Sequence, residues 1–367
     1  MKITVLSENL HKALTLVTHA ISSKNQLPIL SSVFIEASNG KISMSATDLE
    51  IGIETTIPGS IEADGNVVVL GKVFLELVSS LPAGKITVTT EEGNLHVESA
   101  KTKSTLQTAN PEEFPKLYDE KGEKAFAMPV KALQATLKRI IFTASSEATR
   151  PALSGIFFKK IEDGYFFVAT DGYRLSLEKV IPEESGEVQE SFLVPVRLVR
   201  EVLSLKEDGK VTLYKDSAKN QILFSQETAV LVGRLLEAEF PNYEKILPTD
   251  ASTTITLDRE ALLRAVKTCA IFARETANVI TFTIQKDHVL VSAKTPSLGE
   301  NTVEVDCRLV GEENAIAFNG RYLLEFLSVA DSQDIQFEMT GPLNSGVFRL
   351  IGNDSYLHLI MPIRTQE

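Results

Sequence analysis

With 367 residues, 43% hydrophobic and 23% charged, the chain has the composition of a soluble globular protein, and its length suits two or three domains rather than one core. Its net charge of −12 and pI near 5.1 argue, as an average, against nucleic acid as a partner, because an acidic surface repels phosphate. No apolar run approaches a membrane span, and two cysteines, Cys269 and Cys307, support neither a disulfide framework nor a zinc site and fit a reducing, cytoplasmic setting.

The opening MKITVLSENL is not a signal-peptide pattern, since its apolar run stops at Ser7-Glu8-Asn9. KITVL reads as a strand, followed by a helix over about 7–20 with Leu10, Ala13, Leu14 and Val17 on one face and Ser7 as its expected N-cap. SSVFIEA, KISMSA and IGIETTI then read as three strands. NVVVL, a helix over about 71–81, and the strands KITVTT, LHVES and STLQTA repeat that order, giving two βαβββ units. A charged, glycine-containing linker, LYDEKGEKA, leads to the next helix at about 129–143 and then to one at 195–205. After the short polar linker LPTDAST come helices at about 258–274 and 319–328. The fold class expected is α+β, with two helices per domain packed on strand-rich layers.

The order repeats because the sequence repeats. Ala46-Thr47-Asp48 recurs 123 residues later as Ala169-Thr170-Asp171. At the same spacing Leu30-Ser31-Ser32 recurs as Leu153-Ser154-Gly155, and Leu10 and Leu14 recur as Leu133 and Leu137. EEFPKL near the end of the first unit matches AEFPNY in the second, Pro115 against Pro241. A third, weaker copy places Ile280 opposite Ile156 and Pro362 opposite Pro241, with Ala293-Lys294-Thr295 in place of the signature. Three domains are expected, over 1–118, 124–246 and 252–367.

The six predicted helices carry Lys12, Lys72, Lys131, Lys138, Arg139, Arg197, Arg200, Arg259, Arg264, Lys267, Arg274 and Arg321 against Glu8, Glu76, Glu201, Asp258, Glu260 and Glu325. Basic residues decorate many solvated helices, but Glu would then be as frequent. Twelve cations against six acids, in a chain of −12, predict a basic helical surface on an acidic body, suited to a polyanion held weakly and without sequence preference.

Enzymatic patterns are absent: there is no phosphate loop, GxGxxG, GxSxG or HExxH. The histidines at 11, 19, 96, 288 and 358 lack ligand spacing. Asp48 and Asp171 each stand between strands and are expected to form turns; Cys269 lies on the apolar face of its helix and reads as core. An enzyme would need paired catalytic groups and an adhesin-like binding protein a signal peptide, and the sequence offers neither. No catalytic residue, metal or cofactor is expected.

LPILSSV, SATDLE, TRPALSGIFF, VATDGYRL, EFPNYEKILP, FNGRYLLEFL and the late MPIR, spanning residues 27 to 364, closely resemble the bacterial DNA polymerase sliding clamp family. The resemblance implies a non-catalytic processivity factor, a head-to-tail homodimeric ring with helices inside, that encircles duplex DNA and recruits the polymerase catalytic subunit, the clamp loader and other proteins bearing clamp-binding peptides. It implies DNA contacts from Lys24, Lys12, Lys72, Lys138, Arg197, Arg200, Arg264 and Lys267. It implies a dimer interface at Ser104, Leu106, Ile271 and Phe272. The peptide pocket implied takes Leu153, Thr170, Gly172, Tyr173, Arg174 and Leu175 from the second domain, and Pro241 and Ile246 from the junction. Asn319, Tyr322, Leu343, Ser345, Leu359, Met361, Pro362, Ile363 and Arg364 complete it from the third. The ending Thr365-Gln366-Glu367 departs from the family's apolar terminus.

Overall fold

Apolar and β-branched residues at alternate positions make the strands, and apolar residues three and four apart make the helices. The computed structural model describes residues 1–22, 27–147, 149–206 and 208–364. The first repeat runs β1 (Lys2–Leu6), α1 (Ser7–Thr18), β2 (Ser32–Ser38), β3 (Lys41–Thr47), β4 (Ile51–Ile57) and β5 (Gly59–Ala63). Its second half is β6 (Gly65–Leu70), α2 (Gly71–Ser80), β7 (Lys85–Glu91), β8 (Asn94–Ser99) and β9 (Thr102–Ala109). The second repeat begins β10 (Glu123–Pro129), α3 (Val130–Ile141), β11 (Gly155–Ile161), β12 (Gly164–Thr170), β13 (Arg174–Val180) and β14 (Glu184–Ser185). It ends with β15 (Phe192–Pro195), α4 (Val196–Val202), β16 (Lys210–Asp216), β17 (Gln221–Ser225) and β18 (Ala229–Arg234). The third opens with β19 (Thr253–Asp258), α5 (Arg259–Ala273), β20 (Val279–Ile284), β21 (His288–Thr295), β22 (Gly299–Asp306) and β23 (Arg308–Gly311). It closes with β24 (Asn314–Asn319), α6 (Gly320–Val329), β25 (Asp334–Met339), β26 (Gly346–Leu350) and β27 (Asn353–Ile360).

All six expected helices form, within a few residues of the expected ends, and the order is that of paired βαβββ units in three α+β repeats. The pattern does not predict β5, β14 and β23, short edge strands that each pair with the first strand of their repeat. GSIEA and its counterparts are too short and polar for alternation to show. Leu10, Ala13, Leu14 and Val17 are buried on α1 as expected. Ser7 is not the cap. β1 runs straight into the helix, so Leu6 takes the cap position with extended backbone and Ser7 is the first helical residue. Its hydroxyl instead accepts from the Gly84 backbone N–H at 3.1 Å, a long-range partner that no local rule names.

By packing, the chain divides into two compact units, and the division cuts across the repeats. One unit comprises Met1–Ala132, Pro182–Gln189 and Arg197–Leu235. Its strands form one sheet in the order β14-β10-β16-β17-β18-β4-β3-β2-β6-β9-β8-β7-β1-β5. The join between repeats is the antiparallel pair β4 and β18, from Thr55 opposite Ala229 to Ile51 opposite Gly233. The other unit comprises Leu133–Ile181, Glu190–Val196 and Leu236–Glu367. It holds the sheet β15-β11-β12-β13-β27-β26-β25-β19-β23 and the smaller sheet β22-β21-β20-β24. Here β13 and β27 make the equivalent join, from Arg174 opposite Ile360 to Glu178 opposite Tyr356. Sequence repeat and packing unit are therefore different divisions of the chain: the two larger sheets each cross a repeat boundary, while the small sheet stays within one repeat.

Candidate functional site

The repeated Ala-Thr-Asp signature is a turn built twice from the same bonds. In the first repeat the Thr47 hydroxyl donates to the Ile51 carbonyl at 2.8 Å and accepts from Leu49 N–H, while Asp48 Oδ1 accepts from Glu50 and Ile51 N–H. In the second, Thr170 donates to the Arg174 carbonyl at 2.6 Å and accepts from Gly172 N–H, while Asp171 Oδ1 accepts from Tyr173 and Arg174 N–H. Short oxygen-bearing side chains that satisfy a tight turn's backbone are what the type requires. Both aspartates are turn formers, as expected. The left-handed position between them is Gly172 at φ +94° in one copy and Leu49 at φ +78° in the other.

The two copies part at the residue leaving the turn. Ile51 occupies the position of Arg174, which is 6% exposed. The Arg174 guanidinium donates to Asp171 Oδ2 at 3.0 Å and to the Phe142 carbonyl at 2.8 Å, and pairs with Glu325 at 2.6 Å. It lies 4.4 Å from the Tyr322 ring centroid, a cation–π distance. Burial raises the Glu325 pKa, but hydrogen bonds from Arg321 and Arg174 outweigh it and hold the carboxylate below its ordinary range. The sequence does not single out Phe142, Asp171 and Glu325 as holders of Arg174. Only the four-residue spacing of Arg321 and Glu325 signals any of it.

Around this arginine the structure brings together much of the implied pocket within one unit. Leu175 and Leu359 pair across β13 and β27, fully buried, in a cluster with Val168, Leu177, Tyr243, Val347 and Leu357. Thr170 and Leu153 are also buried. Tyr173, Leu343, Met361 and Ile246 are exposed apolar side chains. Met361 N–H donates to the Tyr173 carbonyl at 2.9 Å, and Ile363 N–H donates to the Ala317 carbonyl at 2.7 Å, so this segment is tied to the turn before β13 and to β24. Gly346 opposite Ile360 sets Ser345 and Leu343 beside that end. Asn319 caps α6, its side chain accepting from Arg321 N–H, with Tyr322 in the first turn. Pro241 precedes and Ile246 ends the stretch Tyr243–Ile246. Pro362 is half-buried and Arg364 exposed; Thr365, Gln366 and Glu367 lie outside the described residues.

Of the residues expected at DNA, Lys12, Lys72, Lys138, Arg197, Arg200, Arg264 and Lys267 are all exposed, and Lys24 lies outside the described residues. The helical cations are not all free, however. Arg197 donates to Asp48 Oδ2, Arg139 is held by Glu178 and Asp331, Arg259 by Glu260 and Arg321 by Glu325. The basic count therefore overstates the charge offered to a polyanion. Ser104 and Leu106 fall on the half-buried face of β9, and Ile271 and Phe272 at the last turn of α5, Ile271 exposed.

Among the described residues no group of three or more His, Cys, Asp or Glu side chains is placed to hold a metal ion, and no helix is long and apolar enough to cross a membrane. Burial pushes the Cys269 thiol up to about 11, so it is a poor nucleophile, in keeping with a core role. His358 is fully buried, bonded through Nδ1 to the Ser176 hydroxyl at 2.8 Å and stacked 4.8 Å from Phe326.

Three family profiles match the chain, describing the N-terminal, central and C-terminal domains of the DNA polymerase III beta subunit, over residues 1–118, 127–242 and 244–364. A beta sliding clamp of Halalkalibacterium halodurans is 31% identical over 364 residues, covering 95% of this chain and 96% of the relative. One from Synechocystis is 28% identical over 390 residues, covering 99% of each. Among solved structures, the DNA polymerase sliding clamp from Bacillus subtilis has a TM-score of 0.94 at 25% identity over 100% of both chains. The DNA polymerase III beta subunit from Pseudomonas aeruginosa has a TM-score of 0.93 at 25% identity, again over 100% of both.

Proposed function

The chain belongs to the bacterial beta sliding clamp family, and from that premise we propose that two copies close head to tail around duplex DNA and recruit polymerase through the Tyr173–Arg174 corner. The protein is a DNA sliding clamp, a non-catalytic subunit that confers processivity.

The observation that carries the assembly is the pairing of equivalent strands. Inside the chain, β4 of the first repeat pairs with β18 of the second, and β13 of the second with β27 of the third. The series leaves one strand of each kind over. Among the described residues β22 pairs with β21 alone, and β9 pairs with β8 and touches β6 only at Val68–Ala109 and Val69–Thr108. Exposed strand edges invite a further strand. A second copy supplies it, β22 of one copy against β9 of the other, and the heterologous contact closes because the two-copy ring repeats it. Ser104, Leu106, Ile271 and Phe272 flank this seam, with Leu106 and Phe272 as apolar anchors.

The ring is threaded by DNA, so its hold is topological. The exposed cations, Lys12, Lys72, Lys138, Arg200, Arg264 and Lys267 foremost, then Arg197, need only weak phosphate contacts that allow sliding, and Lys24 joins them on the strength of the family resemblance. The domain limits 1–118, 124–246 and 252–367 describe the repeats, and the setting is the bacterial cytoplasm. Partner peptides from the polymerase catalytic subunit, the loader and other DNA-processing proteins dock beside Met361. There Leu175 and Leu359 form an apolar floor, Tyr173, Leu343, Met361 and Ile246 a rim, and Arg174 and Arg364 meet polar groups of the peptide. Methionine adapts to several partners.

Deletion of Met361 through Glu367 tests the site. The truncated protein should remain a dimer and should still be retained on circular DNA, while a fluorescent polymerase-derived peptide loses its binding. Peptide binding that survives in the folded, truncated dimer would overturn the assignment.

A further inference from the structure

The geometry points to a docking site for a lysine-bearing segment of a partner protein on the sheet face of the first repeat, formed by β2, β3 and β4. A cavity of about 680 Å³ opens there, lined by Phe34, Glu36, Ser45, Glu54, Phe114 and Tyr118 among others. That volume lies within the range of ligand sites. Phe34 and Phe114 stack with centroids 5.4 Å apart, and Tyr118 donates to Glu54 at 3.0 Å. Glu36 is half-buried, and among the described residues its carboxylate has no hydrogen-bond or ion-pair partner. Among the described residues that line it the one cation, Lys116, is solvent-exposed.

The second repeat records what the same place accepts. Phe157 and Phe240 stack there at 4.9 Å, in the positions of Phe34 and Phe114. The cross-strand row Phe34, Ser45, Glu54 becomes Phe157, Val168, Leu177. Likewise the pair Glu36 and Ser43 becomes Lys159 and Phe166. Val168 and Leu177 are buried, with Phe157, Phe166 and Phe240 packed against them, so the hollow is filled from within. Lys159 stands 5.6 Å from the Tyr243 ring centroid and pairs with Glu244. The first repeat has replaced these fillers by Ser43, Ser45 and Glu54, and the lysine by Glu36. The aromatic stack remains, the apolar filling and the internal cation are gone, and carboxylates stand in their place. Leu117 stands at the position of Tyr243 and Tyr118 at that of Glu244, so an ammonium on an aliphatic stem, supplied by another chain, finds Tyr118 as its ring and Glu36 as its anion. A peptide rather than a free amine fits, because the cavity continues along Glu36, Ser43 and Glu54 toward Thr228 and Val230 as an open groove, whose own cations are the exposed Lys41 and Lys121, the latter bonded to Ser225 and set over the Tyr214 ring.

The probe is fluorescein-labelled Gly-Leu-Lys-Leu-Gly, titrated by anisotropy against the full-length protein at low salt. Binding should weaken about tenfold in the folded variant Glu36→Lys/Ser45→Val/Glu54→Leu, and to a similar extent in Glu36→Lys alone, where the tethered lysine occupies the site. Glu91→Lys/Glu92→Gln, which changes net charge as much as the triple variant does but at exposed positions elsewhere, should bind as the parent does. The peptide with acetylated lysine should bind at least about tenfold less well, and so should spermidine. Failure of the parent to bind, binding by Glu36→Lys equal to the parent, an equal loss in the charge control, or equal affinity for spermidine would each overturn the proposal.

Discussion

The same four-residue turn does two jobs because one residue after it changed. Thr47-Asp48 and Thr170-Asp171 make matching hydrogen bonds, yet the residue leaving the turn is Ile51 in one copy and the buried Arg174 in the other. The strand beyond the turn keeps the contrast, with Ile53 opposite Leu231 in the first join and Ser176 opposite His358 in the second. A charged group in the core needs close partners, and here Asp171, Glu325 and the Phe142 carbonyl hold Nε and Nη2, while Nη1 has no hydrogen-bond partner among the described residues. His358 bears the consequence. Burial first, then the nearby Arg174 charge, hold its pKa well below the ordinary 6.5. The folded state therefore keeps it neutral while the unfolded chain takes up a proton below about pH 6.5, so stability falls as pH drops through that value. Between pH 7 and about pH 5.5, at fixed protein concentration, the parent should lose about 1 kcal/mol more stability than His358→Gln in urea unfolding. Parallel pH profiles for the two proteins would show that His358 is not the titrating group.

Elements were legible where their signal is local and lost where it is not. The i, i+3, i+4 spacing on α1 named a helix and its buried face correctly, because amphipathic periodicity is written within a dozen residues. Ser7 failed as a cap because β1 runs directly into α1 and makes it the first helical residue, and the partner its hydroxyl takes instead, Gly84, is 77 residues away. The count of helical cations was legible, but not that Arg139 is spent on Glu178 and Asp331, one on β13 and the other beyond α6. The Arg174 cluster was half visible: its members at 171 and 322 lie in the clamp-like motifs VATDGYRL and FNGRYLLEFL, while Phe142 and the pairing with Glu325 are brought in by the fold alone. The edges of β9 and β22 also belong to this scale, since their freedom appears only once every other equivalent strand is seen to be paired. If they meet in the assembly, charged residues at the seam will separate it. Leu106→Asp combined with Phe272→Asp should sediment as a folded monomer at micromolar concentration, whereas a variant that stays dimeric would place the interface elsewhere.

At the level of the whole molecule, an acidic protein handles DNA by topology, and its average charge mattered less than its repeats. In the proposed assembly, three copies of one domain provide internal joins that a second chain imitates, so that two copies close without specialised surfaces. Weak phosphate contacts then suffice, and chemistry is left to recruited enzymes. The central claim is encirclement. The protein should be loaded by a bacterial clamp loader and ATP onto nicked circular plasmid, isolated by gel filtration in high salt, and followed after the plasmid is cut once with a restriction enzyme. Encirclement predicts that the protein stays with the circle at a salt concentration that abolishes phosphate contacts, and runs off once the DNA has ends. Loss from the intact circle at high salt, or retention on the linear product with free ends, would contradict it.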